Sequence, residues 1–187
     1  MTTVYFVRHA QPNLKNHDDC TRELTQKGQE DRKKVTCFFE NTDVDAVLSS
    51  PYKRAMDTVR HLAESKMLPI IPISDFRERK VDSGWIRDFD GFCRHQWEDF
   101  DFRLSDGESL RQVQRRNITA LETVLKEYAN KTVIIGGHGT SMSTIYQYYD
   151  PSFGYEDFQQ IKNRMPWVLK FTFDGHVCQK IEEFDLK

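Results

Sequence analysis

Cysteine is scarce in this chain, and the few cysteines that it has are widely spaced. Four occur in 187 residues, at positions 20, 37, 93 and 178, and no two form a C-x-x-C pair. Because zinc sites and disulfide frameworks need closely spaced or numerous cysteines, the sequence predicts neither. The start of the chain, Met1-Thr2-Thr3, has no signal-peptide character. We therefore expect a reduced protein of the cytoplasm.

Long apolar runs and an excess of one charge are also missing. No apolar stretch approaches the length that crosses a bilayer, and the formal net charge is only -2. Long-range attraction to nucleic acid or to a membrane surface is therefore not expected. Repeats, low-complexity tracts and linkers are absent as well, so residues 1–187 are expected to form a single domain. Nothing in the pattern indicates an oligomeric state.

What the sequence does contain is an alternation of strand-like and helix-like segments. Apolar runs of strand length occur at 4–7, 44–48, 69–73, 132–137, 167–173 and 177–184. Helical patterns occupy about 25–39, 52–65 and 109–128, and another helix begins after 138. This alternation predicts an α/β fold in three layers, with a mainly parallel central sheet and helices on both of its faces. Thr25 suits the N-cap of its helix, and Ser50 with Pro51 suits the start of the next one.

One segment, 79–105, lacks clean periodicity and is dense in charged and aromatic residues. A connection of this length in a compact domain is usually functional or carries short helices of its own, so it is expected to be a lid or an insertion. Its aromatic residues are either core residues or the wall of a substrate pocket: Trp85, Phe89, Phe92 and Trp97.

Three strand ends carry groups suited to binding an anion. The first strand ends in Arg8-His9, the second leads into Arg54 at the start of a helix, and the fourth ends at His138. In a parallel sheet these ends lie at one edge, where open α/β sheets bind ligands. Two arginines and two histidines at one spot would repel each other unless a multivalent anion were bound, and phosphate fits best. Helix N-termini next to Arg54 and His138 would add to the attraction.

These segments, in this order, resemble the histidine phosphatase superfamily, which has the phosphoglycerate-mutase-like fold. The resemblance covers about residues 3–145 and rests on the following segments: Val7-Arg8-His9-Ala10, Leu24-Thr25 to Gly28, Ser49-Ser50-Pro51 to Arg54-Ala55, Glu78, Gly107-Glu108-Ser109 and Gly137-His138-Gly139. It identifies the superfamily with high specificity but does not identify a substrate.

The resemblance implies roles for five residues. His9 would attack phosphorus and become a phosphohistidine, while Arg8, Arg54 and His138 would neutralise the phosphoryl oxygens. Glu78 would protonate the leaving oxygen and then deprotonate the attacking water. For that it must begin protonated, so its pKa should be raised by burial or by the phosphate. No metal and no cofactor are implied, because arginines supply the positive charge.

Some positions leave alternatives open. Asp82 competes with Glu78 for the role of acid, since Glu78 stands in a charge cluster whose other explanation is a solvated, ion-paired surface. Gln11 and Asn13 replace the residues more usual in the family, and they are either phosphate contacts or part of a polar loop. Gly139 is a further candidate, because glycine beside a histidine lets a ligand approach closely.

Three functions fit the pattern to different degrees. A phosphomonoesterase acting on a small phosphorylated metabolite is favoured. A phosphoglycerate mutase-type phosphotransferase is the alternative, but mutases of this resemblance carry a longer and more basic insertion after the acid, whereas 79–105 mixes both charges. A non-catalytic phosphate-binding regulatory module is disfavoured, because every catalytic position is occupied. The identity of the phosphorylated substrate stays open.

Overall fold

The computed structural model of the protein describes residues 1–84 and 86–186. Its strands are β1 (Thr2–Arg8), β2 (Ala46–Ser49), β3 (Ile70–Pro72), β4 (Thr132–Gly137), β5 (Trp167–Asp174) and β6 (Val177–Asp185). Its α-helices are α1 (Gln26–Phe38), α2 (Lys53–Ser65), α3 (Phe89–Glu98), α4 (Leu110–Glu127), α5 (Gly139–Tyr149) and α6 (Tyr155–Ile161), and a short 3₁₀ helix spans Ser74–Phe76. Along the described chain, none of these helices is long and apolar enough to cross a membrane.

The strands form one mixed sheet in the order β3-β2-β4-β1-β5-β6. The first four strands are parallel, whereas β5 and β6 run antiparallel to their neighbours. Arg8 pairs with Gly137, and Ser49 pairs with Gly136, so the carboxyl ends of β1, β2 and β4 lie side by side. The predicted α/β fold with a mainly parallel sheet is confirmed.

Side chains of β1 point alternately into two apolar layers. Val4 and Phe6 belong to a cluster that includes Leu121 of α4, on one face of the sheet. Val7 belongs to a second cluster that includes Val59 of α2, on the other face. Because a strand alternates its side chains between faces, apolar residues of both phases give a strand buried on both sides. The result is the three-layer arrangement.

One predicted helix start is confirmed and the other is wrong. Thr25 caps α1 by accepting a hydrogen bond from Gly28 N at 3.1 Å. The second predicted cap, Ser50 followed by Pro51, lies too early, because α2 begins at Lys53 and its N-cap is Tyr52. The Ser50 hydroxyl accepts a hydrogen bond from the backbone N of Tyr52 at 3.2 Å, and it also lies 2.7 Å from His138 Nε2, in the interior.

The 79–105 segment contains a helix of its own, α3, which packs against the main core. Phe92 and Trp97 are buried in that core, whereas Phe89 is 44% exposed and lines the cavity described below. The segment therefore supplies both core and pocket wall. Trp85, also predicted to belong to one or the other, lies outside the described residues.

Candidate active site

The two histidines predicted from the strand ends are neighbours in space. His9 follows β1 and His138 follows β4, and the register of these strands is held here by a hydrogen bond from His9 N to Gly137 O at 3.0 Å. Their ring centroids are 5.4 Å apart, and both side chains are buried. Parallel pairing of two strands that each end in a histidine thus builds the centre of the site.

The surroundings of His9 leave one ring nitrogen available for chemistry. Its Nδ1 lies 2.8 Å from Ala10 O. A carbonyl oxygen can only accept, so Nδ1 carries the proton and Nε2 keeps its lone pair. Burial, helped by the charges of Arg54 and Arg8, lowers the pKa of His9 well below its usual 6.5. The imidazole is therefore neutral at pH 7 and able to act as a nucleophile.

His138 is held by a residue that the sequence analysis did not assign to the site. Its Nε2 lies 2.7 Å from the Ser50 hydroxyl, while its Nδ1 is buried with no partner among the described residues. Burial, together with Arg54 and His9, lowers the pKa of His138 well below 6.5. Ser50 lies in the Ser-Ser-Pro segment that carried the resemblance, but the same segment was interpreted as a helix cap, so its contact with His138 was missed.

Arg8 is anchored on one side and unsatisfied on the other. Its Nη1 donates to Ile161 O at 2.8 Å and to Arg164 O at 3.2 Å, while Nε is buried without a partner among the described residues. Burial lowers the pKa of Arg8 to about 10, against the opposing effect of Glu78, so the guanidinium stays charged at pH 7. Gly139 makes room for it, since a β-carbon there would lie 2.9 Å from Arg8 Cζ.

Arg54 is buried and bound to a loop residue that the sequence analysis did not single out. It donates to Asp19 O at 2.6 Å, and its guanidinium lies 3.0 Å from the Asp19 carboxylate. Burial lowers the pKa of Arg54, while Asp19 and Glu78 act in the opposite direction. Asp19 also forms an ion pair with Arg22, and it is 38% exposed, so it is a replaceable counterion for Arg54.

The side chain of Glu78 caps the N-terminus of α5. Its carboxylate accepts hydrogen bonds from Ser141 N at 3.0 Å, from Thr140 N at 3.1 Å and from Arg79 N at 2.8 Å. The expectation that this helix N-terminus would face the bound anion is therefore wrong, because the free amides of the first turn already bind a carboxylate. In α2 one amide of the first turn is also occupied, because Lys53 N donates to the carbonyl oxygen of Cys20 at 3.0 Å.

The remaining predicted residues surround the same cavity in different ways. Gln11 accepts a hydrogen bond from the Thr25 hydroxyl at 2.8 Å, and the Asn13 amide donates to Glu23 at 2.5 Å, so both are bound within their loop. Asp82 is more distinctive, because its Oδ1 is buried and has no partner in the described part of the chain. All three, with Gly139, line the cavity, and their proposed contacts with a ligand stay predictions.

The cavity has a volume of about 1190 Å³ and extends well beyond His9, whereas His138 lies behind its wall, fully buried. Arg8, His9, Arg54 and Glu78 line one end of it, and residues of the segment after Glu78 line the rest. Clusters of three or more His, Cys, Asp or Glu side chains that could hold a metal ion do not occur within residues 1–84 and 86–186. One end of the cavity thus suits an anion, and the remainder is large enough for a leaving group.

Fold and site together define a phosphate-handling α/β protein with a buried, neutral histidine between arginines. The chain belongs to the histidine phosphatase superfamily (branch 1), whose family model matches residues 4–183. The predicted superfamily, and with it an enzyme of the histidine phosphatase type, is confirmed.

Individual relatives agree with this assignment. The uncharacterized phosphatase PhoE of Bacillus subtilis is 28% identical over 154 residues, which are 78% of this chain and 76% of that protein. Phosphoserine phosphatase 1 of Hydrogenobacter thermophilus is 27% identical over 160 residues, which are 78% of this chain and 75% of that protein. Among solved structures, Bacillus stearothermophilus YhfR superposes with a TM-score of 0.80 at 21% identity, covering 96% of this chain and 95% of that one, which shows the shared fold.

Proposed function

We propose that the protein is a metal-independent phosphomonoesterase that acts through a phosphohistidine at His9 Nε2. The observation that carries the proposal is the hydrogen bond from His9 Nδ1 to Ala10 O, which fixes the tautomer and leaves Nε2 unprotonated in a buried, cationic site. In the first step Nε2 attacks phosphorus, the new N–P bond forms and the ester P–O bond breaks. In the second step water attacks the phosphohistidine and releases inorganic phosphate.

Positive charge and hydrogen-bond donors for both steps come from side chains already in place. Arg8 offers its charge through the unsatisfied Nε, and the neutral His138 offers a hydrogen bond through its unsatisfied Nδ1. Arg54 becomes available when the substrate phosphate replaces the Asp19 carboxylate as its counterion. Fixed donors of this kind stabilise the charge that spreads over the equatorial oxygens in phosphoryl transfer. The two guanidinium groups thereby do the work for which other phosphatases use a metal ion.

Glu78 is proposed as the acid that protonates the leaving oxygen and the base that then deprotonates water. Its charge acts directly on both phosphate-binding arginines, since it opposes the lowering of the pKa of Arg8 and of Arg54. Asp82 is not among the largest influences on the pKa of either arginine. Glu78 therefore lies at the phosphate end of the cavity, where an acid for the leaving group must be.

The substrate is proposed to be a small phosphomonoester. The phosphoryl group on His9 is proposed to be transferred to water and not back to an organic acceptor. Two relatives are named as phosphoserine phosphatases; one of them, a metal-independent phosphoserine phosphatase of Arabidopsis thaliana, is 31% identical over 111 residues, which are 54% of this chain and 47% of that protein. Among the described residues, the cavity beyond the phosphate end mixes both charges, with Lys162 paired to Asp90, and this mixture favours hydrolysis over the cationic clamp of a mutase.

The test is turnover of p-nitrophenyl phosphate in EDTA by the wild type and by His9→Ala. We expect the variant to lose at least about 10³-fold in kcat, because no second nucleophile replaces Nε2. A brief reaction with substrate should leave an acid-labile, base-stable phosphoryl label on the wild type only. His176→Ala, at an exposed histidine, is the control and should retain both properties. Turnover by His9→Ala at the wild-type rate would refute the proposal, as would full inhibition of the wild type by EDTA.

A further inference from the structure

The cavity contains a second group of unsatisfied polar atoms, away from the phosphate end. Buried atoms without a partner in the described residues occur in four of the side chains that line it: Arg8, Arg79, Asp82 and Gln159. Arg8 belongs to the phosphate site. The other three come from the segment after Glu78 and from α6, and the proposed mechanism uses none of them. Unpartnered buried atoms also occur elsewhere, as in Asn117 and Trp167, but these three belong to side chains that line one large cavity. Since buried polar atoms in native proteins are nearly always satisfied, a ligand in that cavity is a partner that could complete them.

Among these three side chains, Arg79 gives the strongest indication of a bound ligand. It is only 4% exposed, its Nη1 donates to Gln96 Oε1 at 2.6 Å, and its Nη2 donates to Cys93 Sγ at 3.8 Å. The guanidinium also stands over the rings of Phe89 and Phe92, at 5.6 Å and 5.1 Å from their centroids. None of these partners carries a negative charge, and the buried Nε has no partner at all within the described chain.

The guanidinium of Arg79 places a positive charge in the protein interior. Burying a charge is costly unless a counterion is present. The edge formed by Nε–H and the neighbouring Nη–H is suited to the two oxygens of a carboxylate. Because Arg79 directly follows the proposed acid Glu78 and lines the same cavity, that carboxylate would belong to the leaving group of the ester.

Asp82 supplies the opposite charge. Its Oδ1 is buried and has no partner among the described residues. Within the same part of the chain, Asp82 and Arg79 do not form an ion pair with each other. An acceptor and a cation that line one cavity but are not paired with each other can bind the two ends of one zwitterion. Gln159 Nε2 adds an unused donor for a further oxygen.

We propose that Arg79 and Asp82 form the leaving-group subsite of this enzyme, and that it takes O-phosphorylated α-amino acids. Arg79 binds the carboxylate of the leaving group, and Asp82 binds its ammonium group. The inference rests on the proposed phosphomonoesterase function, since it assigns a binding site to the leaving group of the same substrate whose phosphate binds near His9. It excludes neither catalysis nor binding of simpler esters, but it predicts a preference among them.

The preference is tested first with the wild type and four esters: O-phosphoserine, phosphoethanolamine without the carboxylate, glycerate 3-phosphate without the ammonium group, and p-nitrophenyl phosphate without either. We expect kcat/KM for O-phosphoserine to exceed the values for phosphoethanolamine and glycerate 3-phosphate by about 10-fold or more, the usual effect of one charged hydrogen-bonding pair. Equal values for O-phosphoserine and phosphoethanolamine would overturn the role of Arg79. A preference for glycerate 3-phosphate would overturn that of Asp82.

Variants then separate the two contacts. Arg79→Met should lower the ratio of kcat/KM for O-phosphoserine to that for p-nitrophenyl phosphate by about 10–100-fold, because only the first has a carboxylate. Asp82→Asn should lower the ratio for O-phosphoserine and for phosphoethanolamine, but not that for glycerate 3-phosphate. Arg115→Met and Asp106→Asn, at exposed positions, are the matched controls and should leave every ratio unchanged. Unchanged ratios in both subsite variants would refute the proposal.

A binding measurement keeps the two proposals apart. Isothermal titration of the His9→Ala protein with O-phosphoserine and with phosphoethanolamine needs no turnover. Tighter binding of O-phosphoserine supports the subsite even if the wild type proves inactive, whereas equal binding with an active wild type overturns the subsite and leaves the proposed function standing. Since Arg79 is buried, the thermal unfolding of each variant is measured first, and the four esters with the wild type decide the question if Arg79→Met does not fold.

Discussion

Replacing Glu78 with glutamine is the most direct test of the site. The substitution exchanges one carboxylate oxygen for an NH₂ group, so it changes both the hydrogen bonding and the charge of this side chain. In the wild type, Oε1 accepts from Arg79 N and Ser141 N, and Oε2 accepts from Thr140 N. Glutamine can keep its amide oxygen at the first pair, but its NH₂ group then faces the Thr140 N–H, donor against donor. The variant also removes a negative charge from the N-terminus of α5.

The cost to stability follows from these contacts. A lost hydrogen bond to a charged acceptor costs about 1.5–3 kcal/mol, and a negative charge at a helix N-terminus contributes about 0.3–1 kcal/mol. The free energy of unfolding should therefore fall by about 2–4 kcal/mol, the sum of the two terms. Urea titration measures it, and Glu122→Gln, at an exposed position of α4, is the control.

The effect on the rate should depend on the leaving group. An acid matters little for p-nitrophenolate, a good leaving group, whereas an alkoxide needs its proton, so kcat/KM for glycerol phosphate should fall by about 10²–10⁴-fold and that for p-nitrophenyl phosphate far less. The basic limb of the pH–rate profile should disappear as well. Asp82→Asn should show no such difference between glycerol phosphate and p-nitrophenyl phosphate, since neither ester carries an ammonium group. Equal losses for both esters in Glu78→Gln would mean that Glu78 only caps α5. A loss for glycerol phosphate but not for p-nitrophenyl phosphate in Asp82→Asn would transfer the acid role to Asp82.

Three further predictions concern the phosphate end of the cavity. Ser50→Ala removes the 2.7 Å contact with His138 Nε2, so unfolding should cost about 1–3 kcal/mol less and kcat should fall more than KM changes; a normal kcat would show that Ser50 does not orient the ring. Asp19→Asn removes the counterion that phosphate must displace from Arg54, so the inhibition constant of vanadate should fall, and a rise would contradict the exchange. His9 and His138 have lowered pKa values in the folded state, so the unfolded chain binds more protons below pH 6.5. Stability should therefore fall with decreasing pH, by about 1.4 kcal/mol per pH unit for each histidine, and His9→Gln should show about half the slope in urea titrations.

The sheet and the positions of the site residues were predictable because they depend on local patterns. An apolar run such as 132–137 specifies a strand buried on both faces, and parallel pairing brings the ends of such strands together without further information. Arg8, His9 and His138 therefore had to be near each other once the strands were assigned. The role of Ser50 was harder to predict, because its hydroxyl both accepts from Tyr52 N, next to the helix start, and contacts a side chain 88 residues away. Only the fold shows the second contact.

The run Arg77-Glu78-Arg79-Lys80 shows why the rest could not be predicted. In the sequence these are four neighbouring charges, whose expected arrangement is a solvated, ion-paired surface. In the fold their side chains reach three different surroundings. Arg77 pairs with Glu108 outside the site, Glu78 binds the start of α5, and Arg79 enters the core beneath α3. Their positions depend on partners that lie ten or more residues later in the chain, so the charges of an acid and of a substrate-binding cation look alike until those partners are in place. If Arg79 and Glu78 have the proposed roles, this short segment sets both the chemistry and the specificity of the enzyme.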